Sequence, residues 1–207
     1  MKRRLLVATR NAGKVIEYSE MLAALDVDWI SLDDAGITID VEESGDSFLA
    51  NAILKAQAYA GMTGLLTLAD DSGLEVDALD GAPGIFTARY GGPGLSPVQR
   101  YEYLLHNLKD VPWVQRSARF RCVIAIASED KRLLASADGI CEGMIASMPS
   151  GDGGFGYDPV FYLPERGLTM AQLPSAEKHV ISHRGQALQA IEPALREILE
   201  DTKIDDR

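Results

Sequence analysis

Apolar positions along the chain fall into short runs and into series at helical spacing. The runs Leu5–Ala8 and Leu65–Leu68 are short enough to be buried strands, whereas Val15–Leu25 and Phe48–Tyr59 repeat apolar residues with the period of a helix. The predicted helices and strands are neither strictly alternating nor segregated, which indicates an α/β fold with a mixed sheet. Further strands are predicted at Val27–Ser31, Ile37–Val41, Glu75–Leu79, Ala118–Ala127, Arg132–Ala137 and Ile140–Ala146, and a further helix is predicted to begin at Ser96-Pro97.

The last predicted helix carries apolar residues at helical spacing from Leu188 to Ile198. Ser182 suits the N-cap position, and this places His183 and Arg184 in the first turn. Cations there oppose the helix dipole. The two side chains are therefore either exposed on the surface without a binding role, or they bind an anionic or acceptor-rich group.

Two adjacent carboxylates, Asp70 and Asp71, follow the second apolar run and precede Ser72-Gly73, which is a turn signal. Like charges a few ångströms apart repel unless a cation lies between them. Mg²⁺ removes that cost and prefers one or two carboxylates together with substrate phosphates. The pair is consistent with an acidic surface turn or with part of a magnesium site.

The segment Thr9–Lys14 lies between the first predicted strand and the first predicted helix. A strand, a polar turn and a helix start form an anion site, because backbone N–H groups and the helix dipole point at the turn. A Walker A loop is excluded, since Ala8 stands where the first Gly is needed and Val15 stands where Ser or Thr is needed. Helix capping by Asn11 is the other interpretation.

A glycine-rich loop, Pro149–Pro159, has four Gly within six residues, which lets the backbone approach a ligand closely. Phe155 and Asp158 in this loop can stack on and hydrogen-bond a flat heterocycle, unless the loop is a decorated surface turn. Glu42 and Glu43 precede a helix, and are either solvated charges or include one that reaches the same metal as Asp71.

Composition limits the partners of the chain. The 207 residues carry a formal charge of −11 and suit one large domain. Such a surface disfavours nonspecific binding to nucleic acid or anionic membranes, so an anionic substrate needs a local positive cluster or a metal.

No apolar run approaches the roughly 18 residues of a membrane span. Cys122 and Cys141 lack metal or redox spacing, so a reducing cytoplasmic setting is expected.

Six motifs occur in order between residues 9 and 184, and any one of them alone is weak. As an ordered set they closely resemble the inosine triphosphate pyrophosphatase family, whose bacterial members are XTP/dITP diphosphatases. The motifs are Thr9-x-Asn11-x-x-Lys14, Ala69-Asp70-Asp71-Ser72-Gly73-Leu74, Gly81-x-Pro83-Gly84, Ala88-Arg89-Tyr90, Gly154-Phe155-Gly156-Tyr157-Asp158-Pro159 and Ser182-His183-Arg184.

The resemblance implies an enzyme that clears the nucleotide pool. Family members are Mg²⁺-dependent hydrolases that cleave noncanonical purine nucleoside triphosphates, namely ITP, dITP and XTP, to the monophosphate and pyrophosphate. It also implies a single domain over residues 1–207, with an elongated mixed β-sheet flanked by helices, two lobes with a central cleft, and a homodimer. Two alternatives stay open, a pyrophosphatase for other modified nucleotides and a noncatalytic nucleotide sensor.

The resemblance also implies a site. By motif position, Asp71 is expected to be the proton acceptor and a metal-linked carboxylate, with Asp70 and Glu43 supporting the metal and Ser72 contacting the substrate. The residues expected to hold the triphosphate are Thr9, Arg10, Asn11, Ala12, Gly13 and Lys14. The residues expected to line the nucleoside pocket are Phe155, Gly156, Tyr157, Asp158, Lys178, His183 and Arg184.

The chain departs from the family pattern at three positions outside these motifs. Ala50 stands where the family usually has Glu, Gln172 stands where Glu is common, and His179 follows Lys178 where a small polar residue is usual. These changes concern the surroundings of the expected site rather than its motifs.

Overall fold

The structure, a computed structural model, describes residues 4–205, with the side chains of Ala24 and of residues 201–205 left out. The strands of this part of the chain form one sheet in the order β2-β1-β3-β4-β5-β6-β7. They are β1 (Arg4–Val7), β2 (Asp28–Ser31), β3 (Leu66–Val76), β4 (Ser117–Ala127), β5 (Leu133–Ile145), β6 (Phe161–Leu163) and β7 (Leu168–Thr169). The α-helices are α1 (Ala12–Met21), α2 (Phe48–Thr63), α3 (Pro97–Asn107), α4 (Ser175–Ile181) and α5 (His183–Asp205).

The sheet is mixed, as the sequence predicts. Strand β1 runs parallel to both β2 and β3, with Leu5 opposite Trp29 on one side and Leu66 on the other. Strand β6 is antiparallel to both β5 and β7. The predicted α/β fold is confirmed.

The chain divides into two compact units. Within the described residues, unit 1 comprises 4–71, 122–139 and 185–205, and unit 2 comprises 72–121 and 140–184. Each unit has its own apolar core.

The core of unit 1 is built from alternate strand residues and from one face of each of two helices. Because side chains alternate across a strand, every second residue of β1, of the first part of β3 and of the second part of β4 is on the same face. The final helix contributes the residues that its apolar spacing predicts. The buried members are Leu5, Val7, Tyr18, Leu22, Leu25, Val27, Leu66, Leu68, Cys122, Ile124, Ile126, Ala187, Leu188, Ile191 and Leu195.

The core of unit 2 uses the remaining parts of the long strands together with α3 and the glycine-rich loop. Helix α3 begins with a capping box, in which Ser96 and Gln99 each bond the other's backbone N–H. The helix buries Leu104, and Leu108 just after its end is also buried. Phe120 and Phe161 pack with ring centroids 4.3 Å apart. Their contact packs side chains of two strands of the sheet, β4 and β6, together in this core.

Strand β3 differs from its prediction. It does not end at the acidic pair but continues through Asp70, Asp71, Ser72 and Gly73 to Val76. The two carboxylate residues are buried, at 2% and 6% relative exposure. Buried like charges are tolerated in a strand when cationic side chains compensate them, and two lysines do so here.

Four further predicted strands are revised. Residues 37–41 form no strand, because the carbonyl of Ile37 accepts from the Arg10 guanidinium and the N–H of Val41 donates to the Tyr59 hydroxyl. Residues 77–79 form a 3₁₀ turn after β3 ends. The two segments predicted at 132–137 and 140–146 belong to one strand, β5.

Helix boundaries follow local capping signals. Asn11 caps α1 and Ser47 caps α2, each by accepting from a backbone N–H three residues on. Helix α4 ends before Ser182 and α5 begins at His183, so the predicted first-turn placement of His183 and Arg184 is confirmed. Between residues 4 and 205, no helix combines the length and the apolar character that crossing a membrane requires.

Candidate active site

The start of α1 carries the motif predicted to hold phosphates. Asn11 Oδ1 accepts from the Lys14 N–H at 3.2 Å, and Thr9 Oγ1 accepts from the Asn11 N–H at 3.2 Å. Ala12 and Gly13 form the first helical positions, where backbone N–H groups have no partner inside the helix. The turn therefore presents amide donors and one lysine close together, which is the chemistry of an anion site.

Arg10 makes contacts of another kind. Its guanidinium lies 2.6 Å from Asp40 Oδ1 and 3.1 Å from Asp33 Oδ1, and donates to the Ile37 carbonyl at 2.5 Å. In this structure the side chain ties residues 33–40 to the end of β1. Its predicted contact with the triphosphate stays a prediction.

Asp70 pairs with the lysine of the phosphate turn. Lys14 Nζ lies 2.7 Å from Asp70 Oδ2, whose side chain is fully buried. The Cys122 thiol donates to the same oxygen over 3.6 Å. The ammonium group thus supplies positive charge to a carboxylate that water does not reach.

Asp71 is held by two residues of α2. Asn51 Nδ2 donates to Asp71 Oδ2 at 3.0 Å, and Lys55 Nζ lies 3.6 Å from Asp71 Oδ1. Lys55 also donates to Glu43 Oε1, so the helix joins two of the carboxylates predicted to bind metal. The pKa of Asp71 is raised, first by burial and also by Glu43, against the opposing charge of Lys55 and Lys14.

Lys55 stays cationic in this setting. Burial alone would lower its pKa, but the attraction of Asp71, Asp70 and Glu43 outweighs burial, and the net effect raises the pKa. A fully charged lysine then stands among three carboxylates.

The carboxylates of unit 1 can be tested as a metal site. Among the described residues, no group of three or more His, Cys, Asp or Glu side chains is placed to hold an ion. Asp70 and Asp71 are successive residues of β3, so their side chains alternate across the strand, whereas Asp71 and Glu43 share the Lys55 ammonium group. Mg²⁺ is bound in proteins by one or two carboxylates plus substrate phosphates. The donor set therefore fits a hard divalent ion that arrives with its phosphate ligand. Glu43, paired with Lys55, is a supporting charge in this arrangement.

A second cluster lies in unit 2, around the glycine-rich loop. Asp158 Oδ2 accepts from the Phe155 N–H at 2.8 Å and from Lys178 Nζ at 2.5 Å. Lys178 Nζ and Arg184 Cζ lie 4.9 Å and 5.6 Å from the centroid of the Phe155 ring. Phe155 is half-buried, and a flat aromatic face flanked by two cations is suited to a flat, acceptor-rich heterocycle.

Gly154 is required at the centre of this cluster. Its φ is +68°, and a Cβ there would lie 2.0 Å from Asp158 Oδ2 and 2.9 Å from Lys178 Nζ. The loop can approach these two side chains only because the residue has no Cβ.

The remaining predicted residues of unit 2 are placed as follows. Arg184 Nη2 donates to Ser72 Oγ at 2.9 Å. His183 is buried and stacks on Phe120 with ring centroids 4.7 Å apart. Tyr157 belongs to the core of unit 2, where its hydroxyl donates to the Thr87 carbonyl at 3.0 Å and burial raises its pKa. Gly156 has a φ of +63° and turns the loop.

A sequence profile of the Ham1 family matches residues 5–194. The chain belongs to the Ham1 family. A curated relative named dITP/XTP pyrophosphatase, from Geobacillus kaustophilus, is 47% identical over 195 residues, which are 94% of this chain and 95% of the relative. A second relative of that name, from Geobacter sulfurreducens, is 48% identical over 193 residues, or 93% and 96% of the two chains.

Solved structures of Ham1 proteins share the fold. The HAM1 protein from Coxiella burnetii superposes with a TM-score of 0.84 at 41% identity, covering 94% of this chain and 99% of that one. The Ham1 protein of Staphylococcus aureus gives a TM-score of 0.82 at 38% identity, with the same coverage. The family resemblance expected from the motifs is confirmed.

In this Ham1 chain, sequence reasoning missed two residues that contact the acidic pair, Asn51 and Lys55. They are four positions apart, so both lie on the face of α2 that buries Ala52 and Ala56. The sequence pattern that could have identified them is a polar residue within the apolar face of a helix. Such residues are rarely buried unless they are paired, so they indicate a buried polar contact.

Proposed function

We propose that this protein hydrolyses the noncanonical purine nucleoside triphosphates ITP, dITP and XTP to the nucleoside monophosphate and pyrophosphate. The observation that carries the proposal is the network of Asp70, Asp71 and Glu43 with Lys14 and Lys55, present in a Ham1-family chain. Support comes from the curated relatives named dITP/XTP pyrophosphatase, which match more than nine-tenths of the chain.

The phosphate-binding part of the proposal rests on the start of α1. Lys14 and the amide donors of Ala12 and Gly13 would hold phosphate oxygens in a protein whose net charge is −11. Lys55 would add a second cation on the side of Asp71. Local positive groups are necessary because the net negative charge of the protein repels a triphosphate.

Asp71 is the residue we propose as proton acceptor. Water attacks the α-phosphorus, the bond from this phosphorus to the bridging oxygen breaks, and pyrophosphate leaves, while the proton of the water passes to the carboxylate. Asp71 is buried and held by Asn51 and Lys55, so its carboxylate is fixed in position to accept the proton. Asp71, supported by Asp70 and Glu43, would hold Mg²⁺, which when bound supplies charge stabilisation to the phosphates.

The base-binding part of the proposal rests on the cluster around Phe155. Lys178 and Arg184 flank its ring, and both are donors. Hypoxanthine and xanthine carry a carbonyl at the 6-position, whereas adenine carries an amino donor there. Donors at this point would pair with the carbonyl and leave the adenine amino group unpaired, so the cluster favours the noncanonical bases over adenine.

Pyrophosphate release from ITP, dITP, XTP, GTP and ATP, with and without Mg²⁺, tests the function. We expect Mg²⁺-dependent turnover of the first three and a kcat/KM for ATP lower by roughly 10⁴-fold than for ITP. Equal kcat/KM values for ITP and ATP would contradict the proposal. Pyrophosphate release that continues at the same rate after a chelator removes Mg²⁺ would also contradict it. GTP shares the 6-carbonyl, so its value reports on contacts at the 2-position of the base.

We also infer a homodimer, which rests on the family resemblance alone, and a cytoplasmic location, which rests on the absence of metal or redox spacing between the two cysteines. Light scattering of the purified protein measures the first, and fractionation of cells measures the second. Neither result bears on the chemistry proposed above.

A further inference from the structure

Asn51 joins two separate parts of the acidic network. Its side chain is completely buried on the inner face of α2. Nδ2 donates to Asp71 Oδ2 at 3.0 Å, and Oδ1 accepts from the Gly45 N–H at 2.8 Å. One amide group therefore connects β3 to the loop that carries Glu43.

Chemistry fixes the orientation of this amide. The Gly45 N–H can only donate, so the amide atom facing it must be the oxygen. The ionised Asp71 can only accept, so the atom facing it must be the nitrogen. A flipped amide would set two acceptors together and two donors together, which excludes the alternative assignment.

Gly45 is adapted to this contact. A Cβ on Gly45 would lie 2.7 Å from Asn51 Oδ1 and 2.8 Å from the Ala50 Cβ, closer than such atoms approach. The backbone reaches the amide oxygen only because the loop has glycine at this point. The loop and the helix residue are thus matched to each other.

We propose that Asn51 is a positioning residue for the proton acceptor Asp71, a role that rests on the function proposed above. By holding Oδ2, the amide turns Oδ1 toward Lys55 and keeps the carboxylate in one orientation. By holding Gly45, the same amide sets the distance between the Glu43 loop and Asp71. Lost orientation of a reacting group costs rate, because an ångström of misplacement reduces turnover by about 10²-fold.

Among residues of similar size, only asparagine both accepts from the Gly45 N–H and donates to Asp71 Oδ2. Aspartate has the same shape but offers oxygen to both neighbours, which sets a like charge against Asp71. Leucine has a similar volume but makes neither hydrogen bond. Glutamine is longer by a methylene group, and a fully buried site does not accommodate the extra volume without strain.

Steady-state kinetics of Asn51→Asp, Asn51→Leu and Gly45→Ala test the proposal, with dITP as substrate and Mg²⁺ present. For each variant we expect kcat to fall by about 10-fold to 10²-fold, with KM within about 3-fold of the wild-type value, because Asn51 orients a catalytic group without binding substrate. Gly45→Ala displaces the amide from the loop side and replaces no polar side chain.

Gln57→Leu is the matched control. Gln57 lies on the same helix, and its side-chain amide donates to the Lys131 carbonyl at 2.9 Å, away from the acidic pair. We expect this variant to lose stability while keeping the wild-type kcat. Thermal unfolding of all four variants separates stability from turnover.

The outcomes are distinct. Wild-type protein that fails to release pyrophosphate from dITP contradicts the proposed function. Active wild-type protein with folded Asn51 and Gly45 variants of normal kcat overturns the positioning role alone. If Asn51→Leu fails to fold, the isosteric Asn51→Asp and the loop variant still decide the question, and an equal loss of kcat in the Gln57 control also overturns the role.

Discussion

Lys14 Nζ lies 2.7 Å from Asp70 Oδ2, and this pair joins the first turn of a helix to the middle of a strand 56 residues away in sequence. The carboxylate side chain is fully buried and the lysine is 13% exposed. The ammonium group supplies the positive charge that reduces the repulsion between the two neighbouring carboxylates. The pair therefore explains why β3 continues through its acidic residues.

Replacing Lys14 with methionine should destabilise the protein in the absence of metal. The substitution keeps an unbranched side chain, shorter by one atom, but removes this charge from a buried ion pair, at a cost of about 3 kcal/mol. Mg²⁺ should recover part of the loss, because an ion bound to the folded state at the same carboxylate stabilises it. Chemical denaturation with and without Mg²⁺ measures both effects.

The control for this variant is Lys109→Met. Lys109 Nζ lies 4.0 Å from Asp110 in a pair that is exposed on both sides. Exposed pairs contribute little to stability, so this variant should unfold at the wild-type denaturant concentration. If the Lys14 variant in metal-free buffer were as stable as the wild type, the Lys14–Asp70 pair would not be what allows β3 to continue through its acidic residues.

Replacing Asp71 with asparagine should lower kcat by about 10²-fold or more, the scale of a general base. The amide keeps the shape of the carboxylate but accepts no proton. Asp77→Asn serves as the control, because Asp77 is an exposed carboxylate just after the same strand and pairs with Arg119. Pyrophosphate release from dITP gives the rates, and near-normal turnover of the Asp71 variant would refute its role.

The helices of the fold were predictable because their signals are local. Asn11, Ser47 and Ser96 each accept from a backbone N–H three residues on, and each marks a helix start that the sequence predicts. The apolar face of α5 likewise follows from spacing within one segment. Such features need no information from the rest of the chain.

The course of β3 and the full set of site residues were not predictable in this way. The acidic pair is kept in the strand by lysines that the fold brings from α1 and α2. Residues 37–41 have the pattern of a strand, but the Arg10 side chain takes the carbonyl oxygen of Ile37. Both outcomes depend on partners far away in sequence, which periodicity does not identify.

The Cys141 thiol gives a prediction about pH. Burial, with Glu142 and Asp158 nearby, raises its pKa from 9.0 to about 11. The folded state therefore holds this proton where the unfolded chain loses it, so stability is fully present below about pH 9 and falls as pH rises toward about 11. From about pH 9 to about pH 10 this group alone should remove about 1 kcal/mol.

Denaturant unfolding of wild-type protein and Cys141→Ala across this pH range checks the prediction. The stability of the alanine variant should fall less steeply, since it lacks the thiol. Parallel curves for the two proteins would show that the thiol has the same pKa in both states. The native thiol should also resist iodoacetamide near neutral pH, because the thiolate is the nucleophile.

Replacing Gly154 with alanine should weaken substrate binding more than it weakens the fold. The new Cβ would lie 2.0 Å from Asp158 Oδ2 and 2.9 Å from Lys178 Nζ, so the carboxylate and the cation beside Phe155 must both move. Because these groups are proposed to bind the base, KM for dITP should rise by about 10-fold, the scale of one lost charged hydrogen bond. Gly167→Ala is the matched control, since Gly167 has a φ of +67° against +68° at Gly154 but only ordinary contact, at 3.9 Å, with the Tyr162 hydroxyl. Both variants bear the backbone strain of a left-handed alanine, so equal KM values would show that the collision at Gly154 has no part in nucleotide binding.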